Sequence, residues 1–328
     1  MKRHCVALLF LVFVYFAGAS GSFGQVKTTS AFAHVGSMKI PFAMAGNAFA
    51  LWQRGSFVYV TERFSASPVF QFLDRDGHVT STFTFSIPEA SLINLYDNSV
   101  ALGQDGSLAI TGTAYLDDSR EGMFLAWVSP DRREQTITRI SPFFPKAVTL
   151  ASDGTIWLAG DETKPNHQAQ DYTQHLLRHY DKTGKLLGSF LTWADFQTDS
   201  PYIAPTLGSI LLPLEDGIGW YSFRSKSYVE LSSDGSVVRR LKTGPHSSHD
   251  LVEATACADG DIYASTRIPV TNNPTESNWG IYTLDPTKGT WTVQPTGDKW
   301  GRLFGCDGTR LVTTSDFKTV AWLSRAGQ

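Results

Sequence analysis

Hydrophobic residues in this chain come in short runs that break at a turn and resume on its far side. Ala151–Gly160 (ASDGTIWLAG) shows the pattern most plainly, with an apolar run reaching Asp-Gly and a second apolar run leaving it. Asp-Gly supplies the φ > 0 geometry that a tight reversal needs, so the stretch predicts a β-hairpin. Related phrases occupy Phe49–Glu62, Val100–Gly112, Val148–Gly160, Ile210–Ser222, Glu253–Ser265 and Arg302–Thr314. Their turn glycines, Gly55, Gly106, Gly154, Gly217, Gly260 and Gly308, recur 43 to 63 residues apart. Second strands such as Phe57–Val60 and Ile156–Ala159 are apolar at every position instead of alternating. Sheets built from them must be covered on both faces.

A second hairpin follows each first one, marked by an apolar residue, then Asp or Ser, then a turn. The pairs are Leu73-Asp74, Val128-Ser129, Tyr180-Asp181, Leu231-Ser232, Leu284-Asp285 and Leu323-Ser324. Short Asp and Ser side chains bond to amides just downstream and so start turns. Two hairpins per repeat make a four-stranded antiparallel unit, and six such units predict an all-β, six-bladed β-propeller. The blades are expected at about 46–87, 98–140, 146–191, 207–243 and 251–296, with the sixth at about 300–328 plus 26–35. The sixth unit runs out after a third strand, Thr319–Leu323, while Val26–Val35 stands alone ahead of the first unit. The N-terminal segment is therefore expected to complete the last blade and close the ring.

Composition changes this picture little. Net charge is −3 over 328 residues, and no basic cluster stands out, which argues against nucleic acid as a partner. The chain opens with Lys2, Arg3 and His4, continues as an apolar run over Val6–Ala17, and reaches small residues at Gly18 to Gly21. That is a secretory signal pattern, with cleavage expected near Ala19, so residues 1–19 form the leader and 20–328 the propeller. The run is shorter than the ~20 residues of a membrane span, so no span is expected after cleavage. The expected address is secreted or periplasmic. Cys257 and Cys306 then remain, at similar heights of adjacent first strands, and a disulfide between them is one reading. Two small buried hydrophobes is the other.

In a propeller the hairpin turns lie on one face, and the longer connections lie on the other. Blade three inserts 161–174 and blade five 267–279 on that second face. The connection from blade three to four carries Trp193, Asp195, Asp199 and Tyr202, and the next holds His246, His249 and Asp250. Seven positions past each turn glycine fall Glu62, Thr113, Asp161, Arg224, Arg267 and Ser315. Acids from blades one and three with arginines from blades four and five predict a two-signed rim that could orient a carboxylate-bearing or zwitterionic ligand. Solvated polar strand ends read equally simply. Glu62, Asp161, Arg224, Arg267, Trp193, Tyr202 and His249 are the candidate ligand-binding residues.

The repeated Asp-Gly hairpins resemble six-bladed propellers of the NHL and gluconolactonase-like groups over nearly the whole mature chain. The gluconolactonase resemblance implies a divalent metal at the hub, held by Glu, Asn and Asp near the tops of first strands. Asn47, Asn98 and Glu253 stand at comparable heights, and no Asp joins them. No Cys-x-x-Cys, His-Glu-x-x-His, Gly-x-Ser-x-Gly or phosphate-loop pattern occurs. Three functions stay open: a binding module reading a protein, peptide or glycan through the loops of blades three to five; a metal-assisted lactonase-like hydrolase at the hub mouth; or a scaffold within a complex.

Overall fold

The computed structural model describes residues 31–40, 48–116, 121–162, 171–196, 204–206, 208–243, 251–270, 273–285, 287–294, 302–314 and 318–325. At 251–252, 266–270 and 273–279 the backbone alone is described. The first described strand is β1 (Phe32–Lys39). Blade one follows as β2 (Phe49–Gln53), β3 (Ser56–Thr61), β5 (Val69–Leu73) and β6 (Val79–Thr84), with the short β4 (Phe64–Ser65) between its second and third strands. Blade two has a broken inner strand, β7 (Ala90–Asn94) and β8 (Val100–Leu102), both paired to β9 (Leu108–Leu116). Outside these lie β10 (Glu121–Val128) and β11 (Gln135–Arg139).

Blade three is β12 (Phe143–Leu150), β13 (Ile156–Glu162), β14 (His175–Tyr180) and β15 (Leu186–Thr192). Blade four is β16 (Ile210–Pro213), β17 (Ile218–Ser222), β18 (Ser227–Leu231) and β19 (Val237–Lys242). Blade five is β20 (Leu251–Ala256), β21 (Ile262–Val270), β22 (Asn273–Asp285) and β23 (Thr290–Gln294). Blade six joins β24 (Arg302–Asp307), β25 (Arg310–Thr314) and β26 (Thr319–Arg325) to β1, so the N-terminal strand closes the ring. The closing strand lies later than the expected Val26–Val35, because Phe32 and Met38 are the buried anchors and a register shift between His34 and Gly36 leaves Val35 outward. Residues before Ala31 lie outside the described residues.

The turns form for the reasons the sequence implies. Gly154 sits at φ +80, and Asp153 Oδ1 accepts from the Thr155 amide at 2.9 Å and its hydroxyl at 2.6 Å. On the outer hairpin of blade three, Asp181 Oδ1 accepts the amides of Thr183 and Lys185 at 2.8 and 3.0 Å.

Among the described residues six hydrophobic clusters form, each made by two neighbouring blades. Strand β13 shows how this works: Ile156 and Leu158 pack toward blade two, while Trp157 and Ala159 pack toward blade four. Successive side chains on a strand point to opposite faces, so an all-apolar strand serves two cores at once. The last cluster pair closes the circle, with Met38 and Trp322 of blade six packing on Trp52 and Phe57 of blade one. A disulfide joins Cys257, just after β20, to Cys306 on β24, with Cα atoms 5.3 Å apart. It ties the inner edges of blades five and six.

Candidate functional site

Each inner strand starts on the face of the connections and ends at its glycine turn, Arg54-Gly55 in blade one and Asp-Gly in the other five. The six starts therefore ring one mouth of the central channel. The channel encloses about 100 Å³ and is lined by all six inner strands. Its wall is apolar at Ala50, Val100, Val148, Leu211, Ala254 and Leu303. The charged lining residues, Asp97, Glu253 and Arg302, all belong to strand starts and so gather at the mouth.

Glu253 is aimed there by a bulge. The β20–β21 register shifts between Leu251 and Glu253, and such an extra residue re-aims the side chain that follows it. Oε1 accepts from Arg302 Nε, and Oε2 accepts from the Ser265 hydroxyl at 2.9 Å. The Leu303 amide donates to the same Ser265 oxygen at 3.4 Å, which fixes the hydroxyl. Burial pushes the Glu253 carboxyl up to about 7, against the pull of Arg302 and Ser265, and the negative charge of Asp97 adds to the rise.

Asp97 is held by Arg63 through an Nη1–Oδ1 ion pair. Arg63 reaches it by a local device. Glu62 takes a left-handed conformation at φ +53, turning the chain out of β3. The chain then pairs as β4 with β7 of the next blade, Phe64 opposite Asn94, and the Leu95 amide donates to the Arg63 carbonyl at 2.9 Å. A strained non-glycine residue beside a charged pair at a channel mouth is the kind of feature functional sites retain.

Around this centre the mouth is tied together. Asn98 donates from Nδ2 to the Ser209 carbonyl at 3.3 Å, linking blades two and four. The Tyr96 ring lies 5.3 Å from that of Phe144, and Lys146 Nζ sits 3.7 Å over the latter. Burial lowers the Lys146 pKa, with Asp161 acting in the opposite direction.

The residues expected from sequence fall in several places. Glu62 is exposed, and its neighbour Arg63 pairs with Asp97, which lines the channel. Thr113 is buried and shares a 3.1 Å hydrogen bond with the Tyr96 hydroxyl. Asp161 accepts from the Thr206 hydroxyl at 2.5 Å. Arg224 packs its guanidinium 5.3 Å over the Phe223 ring. Trp193 is turned into the core between blades three and four, against Trp220 and Phe196, so its indole is a packing group. Arg267 is described by its backbone alone, opposite Trp279 in blade five. Tyr202, His249, Asn47, Asp199, His246, Asp250 and Ser315 lie outside the described residues. Arg63, Asp97 and Arg302 are not among the residues expected from sequence, although Asn98 and Glu253, near the tops of first strands, are; Asp97 and Arg302 line the channel beside them.

A divalent ion does not fit the residues described here. Arg302 stands in contact with one Glu253 oxygen and Ser265 with the other, so a cation would meet a guanidinium. Among the described residues, Asp74, Asp76 and His78 come close enough together to share an ion, in an outer turn of blade one. There Asp74 already accepts the Asp76 and His78 amides, both at 2.9 Å.

No family model matches the chain, and no curated protein matches it. Solved structures with a similar course include a streptogramin B lyase, at 12% identity and TM-score 0.47, covering 89% of this chain and 97% of the other. A gluconolactonase-like protein gives 12% identity and TM-score 0.49, covering 92% and 95%. The propeller domain of the Trilobed protease from Pyrococcus furiosus gives 9% identity and TM-score 0.44, covering 92% and 95%.

Proposed function

We propose that this chain is a ligand-binding propeller that seats a small polar molecule at the channel mouth, on the face of the blade connections. The supporting observation is the meeting of two arginine–carboxylate pairs, Arg63–Asp97 and Arg302–Glu253, at the mouth of a channel lined by both polar and apolar side chains. Concave apolar walls with few convergent polar groups are the usual form of small-ligand sites. A secreted or periplasmic address belongs to the same proposal, supported by the leader pattern and by a disulfide that suits an oxidising compartment. Thermal-shift screening of small polar compounds tests it. A ligand at 100 times its Kd should stabilise the protein by about 2.7 kcal/mol. A mouth variant, Asp97→Ala for a neutral or cationic guest or Arg302→Gln for an anionic one, should weaken binding at least tenfold, and a channel-filling Ala254→Phe should abolish it. Binding of a peptide or glycan that ignores both substitutions, and follows the loops of blades three to five instead, would overturn the mouth as the site.

One observation favours a second reading, acid–base catalysis. A carboxyl at about 7 is poised to give or take a proton at neutral pH, as hydrolysis of a lactone or ester requires. Turnover of such a panel, with a rate inflection near pH 7 and a loss of at least a hundredfold in Glu253→Gln, would establish it. Equal turnover by Glu253→Gln would remove it.

A further inference from the structure

The charges at the mouth cancel in pairs, and that balance restricts the guest. Asp97 is held by Arg63, and both Glu253 oxygens are taken, one by Arg302 and one by Ser265. A cation entering the mouth finds each Glu253 oxygen already accepting a hydrogen bond and meets the Arg302 guanidinium. An anion finds Arg302. Its Nε–H serves Glu253, and among the described residues its Nη groups make no hydrogen bond. Guanidinium forks match carboxylates and oxyanions in shape, so these donors suit such a guest.

An added negative charge beside a carboxylate that is largely withdrawn from water is costly unless a neighbour gives one up. Glu253 is the group placed to do so. Its side chain is 17% exposed, while that of Asp97 is 61% exposed and keeps solvent as well as Arg63. The groups facing Glu253 are Arg302 from β24, Ser265 from β21 and, across the mouth, Asp97 with its partner Arg63. Once protonated, Glu253 keeps Ser265 and releases Arg302.

Resting on the ligand-binding reading, we propose that the channel mouth binds a small carboxylate or inorganic oxyanion on Arg302 in exchange for Glu253, which takes up one proton from solvent as the anion enters. The cavity sets the size. A cavity of about 150 Å³ holds benzene, so the roughly 100 Å³ here suits a guest of a few heavy atoms. The burial that raises the Glu253 carboxyl to about 7 places the exchange in the neutral range.

Calorimetric titration of the full chain with acetate, glycolate and phosphate tests this, with glycerol and methylamine as neutral and cationic probes. Runs at pH 6, 7 and 8, in buffers of different ionisation enthalpy, count protons. The expected result is anion affinity that is level below about pH 7 and falls about tenfold per pH unit above it, with close to one proton taken up at pH 8. Acetate and glycolate outranking phosphate identifies a carboxylate guest, and the reverse order an inorganic one. Glu253→Gln should bind the same anions with no pH slope, and Arg302→Gln should lose at least tenfold. If Arg302→Gln does not fold, Arg302→Lys should still lose the preference for planar carboxylates. Anion binding without proton uptake overturns the exchange. Glycerol or methylamine binding that Asp97→Ala weakens, with no anion binding, overturns the inference and leaves the ligand-binding reading standing. No guest sensitive to the mouth substitutions overturns both.

Discussion

Glu62 holds a left-handed backbone with no glycine to ease it, at φ +53, and the reward is the placement of Arg63 against Asp97. For an L residue that conformation costs about 1–2 kcal/mol, part of which glycine would relieve before its own entropy loss on folding. Glu62→Gly should therefore be neutral or stabilising by up to about 1 kcal/mol, whereas Glu62→Val should destabilise by about 1–2 kcal/mol, both read from urea unfolding. Equal effects would mean that backbone strain is not what sets this position. Glu253 makes a second residue-scale prediction. Its folded carboxyl, at about 7, lies above the ordinary 4.5, so the folded chain binds the proton more tightly than the unfolded chain. Stability then falls as pH rises between about 4.5 and 7 and levels off above, with a total near 3 kcal/mol at most. Glu253→Gln has no such slope, so its stability relative to wild type should rise from pH 5 to pH 8; parallel unfolding curves would rule this out. Both residues could be picked out in the sequence, Glu62 on the rim and Glu253 near the top of a first strand, but their charged surroundings could not. The mouth joins Arg63 to Asp97 and Glu253 to Arg302 across blade boundaries, and only the ring brings those strand starts together.

At the scale of strands and blades the sequence was far more readable, because the information is local. The first-hairpin turns need φ > 0, and Gly55, after Arg54, and Gly106, Gly154, Gly217, Gly260 and Gly308, each after Asp, all adopt it. Strands covered on both faces must be apolar throughout, which is how Ile156–Ala159 reads and how it packs. What stayed hidden was β4 and β7, whose pairing depends on a neighbouring blade and not on their own pattern. The closing strand was seen but set too early, since its anchors Phe32 and Met38 bury against blades five and one. The disulfide belongs to this scale as well, clamping the inner strand of one blade to that of the next. With a sequence separation of 49, loop-closure entropy gives it about 4 kcal/mol at most. The double variant Cys257→Ser/Cys306→Ser should lose about 2–4 kcal/mol in chemical unfolding, and reducing the wild type should reproduce the loss. A reduced wild type as stable as the oxidised form would show that the link carries no stability.

For the whole molecule the question is what keeps a ring of six blades shut. Each cluster lies between two blades, so a blade that swings out loses two cores and strips one face from each neighbour. Blade six is the place where the ring is joined, and two independent fastenings meet there. One is β1 paired along β26, with Phe32 packed 6.0 Å from the Tyr263 ring of blade five. The other is the disulfide from Cys306 to Cys257, and Cys257 lies in the same cluster as Phe32. Removing a buried phenylalanine ring costs about 3–5 kcal/mol when the rest of its surroundings hold firm. Once the disulfide is gone, blade six is freer to part from blade five, and the surroundings of Phe32 no longer hold firm. Phe32→Ala should therefore cost less in the Cys257→Ser/Cys306→Ser background than in wild type, a coupling of about 0.5–3 kcal/mol in a double-mutant cycle. Measured by urea unfolding, strict additivity would mean that the two fastenings act on separate parts of the ring, and a larger cost in the cysteine-free background would reverse the sign of the argument.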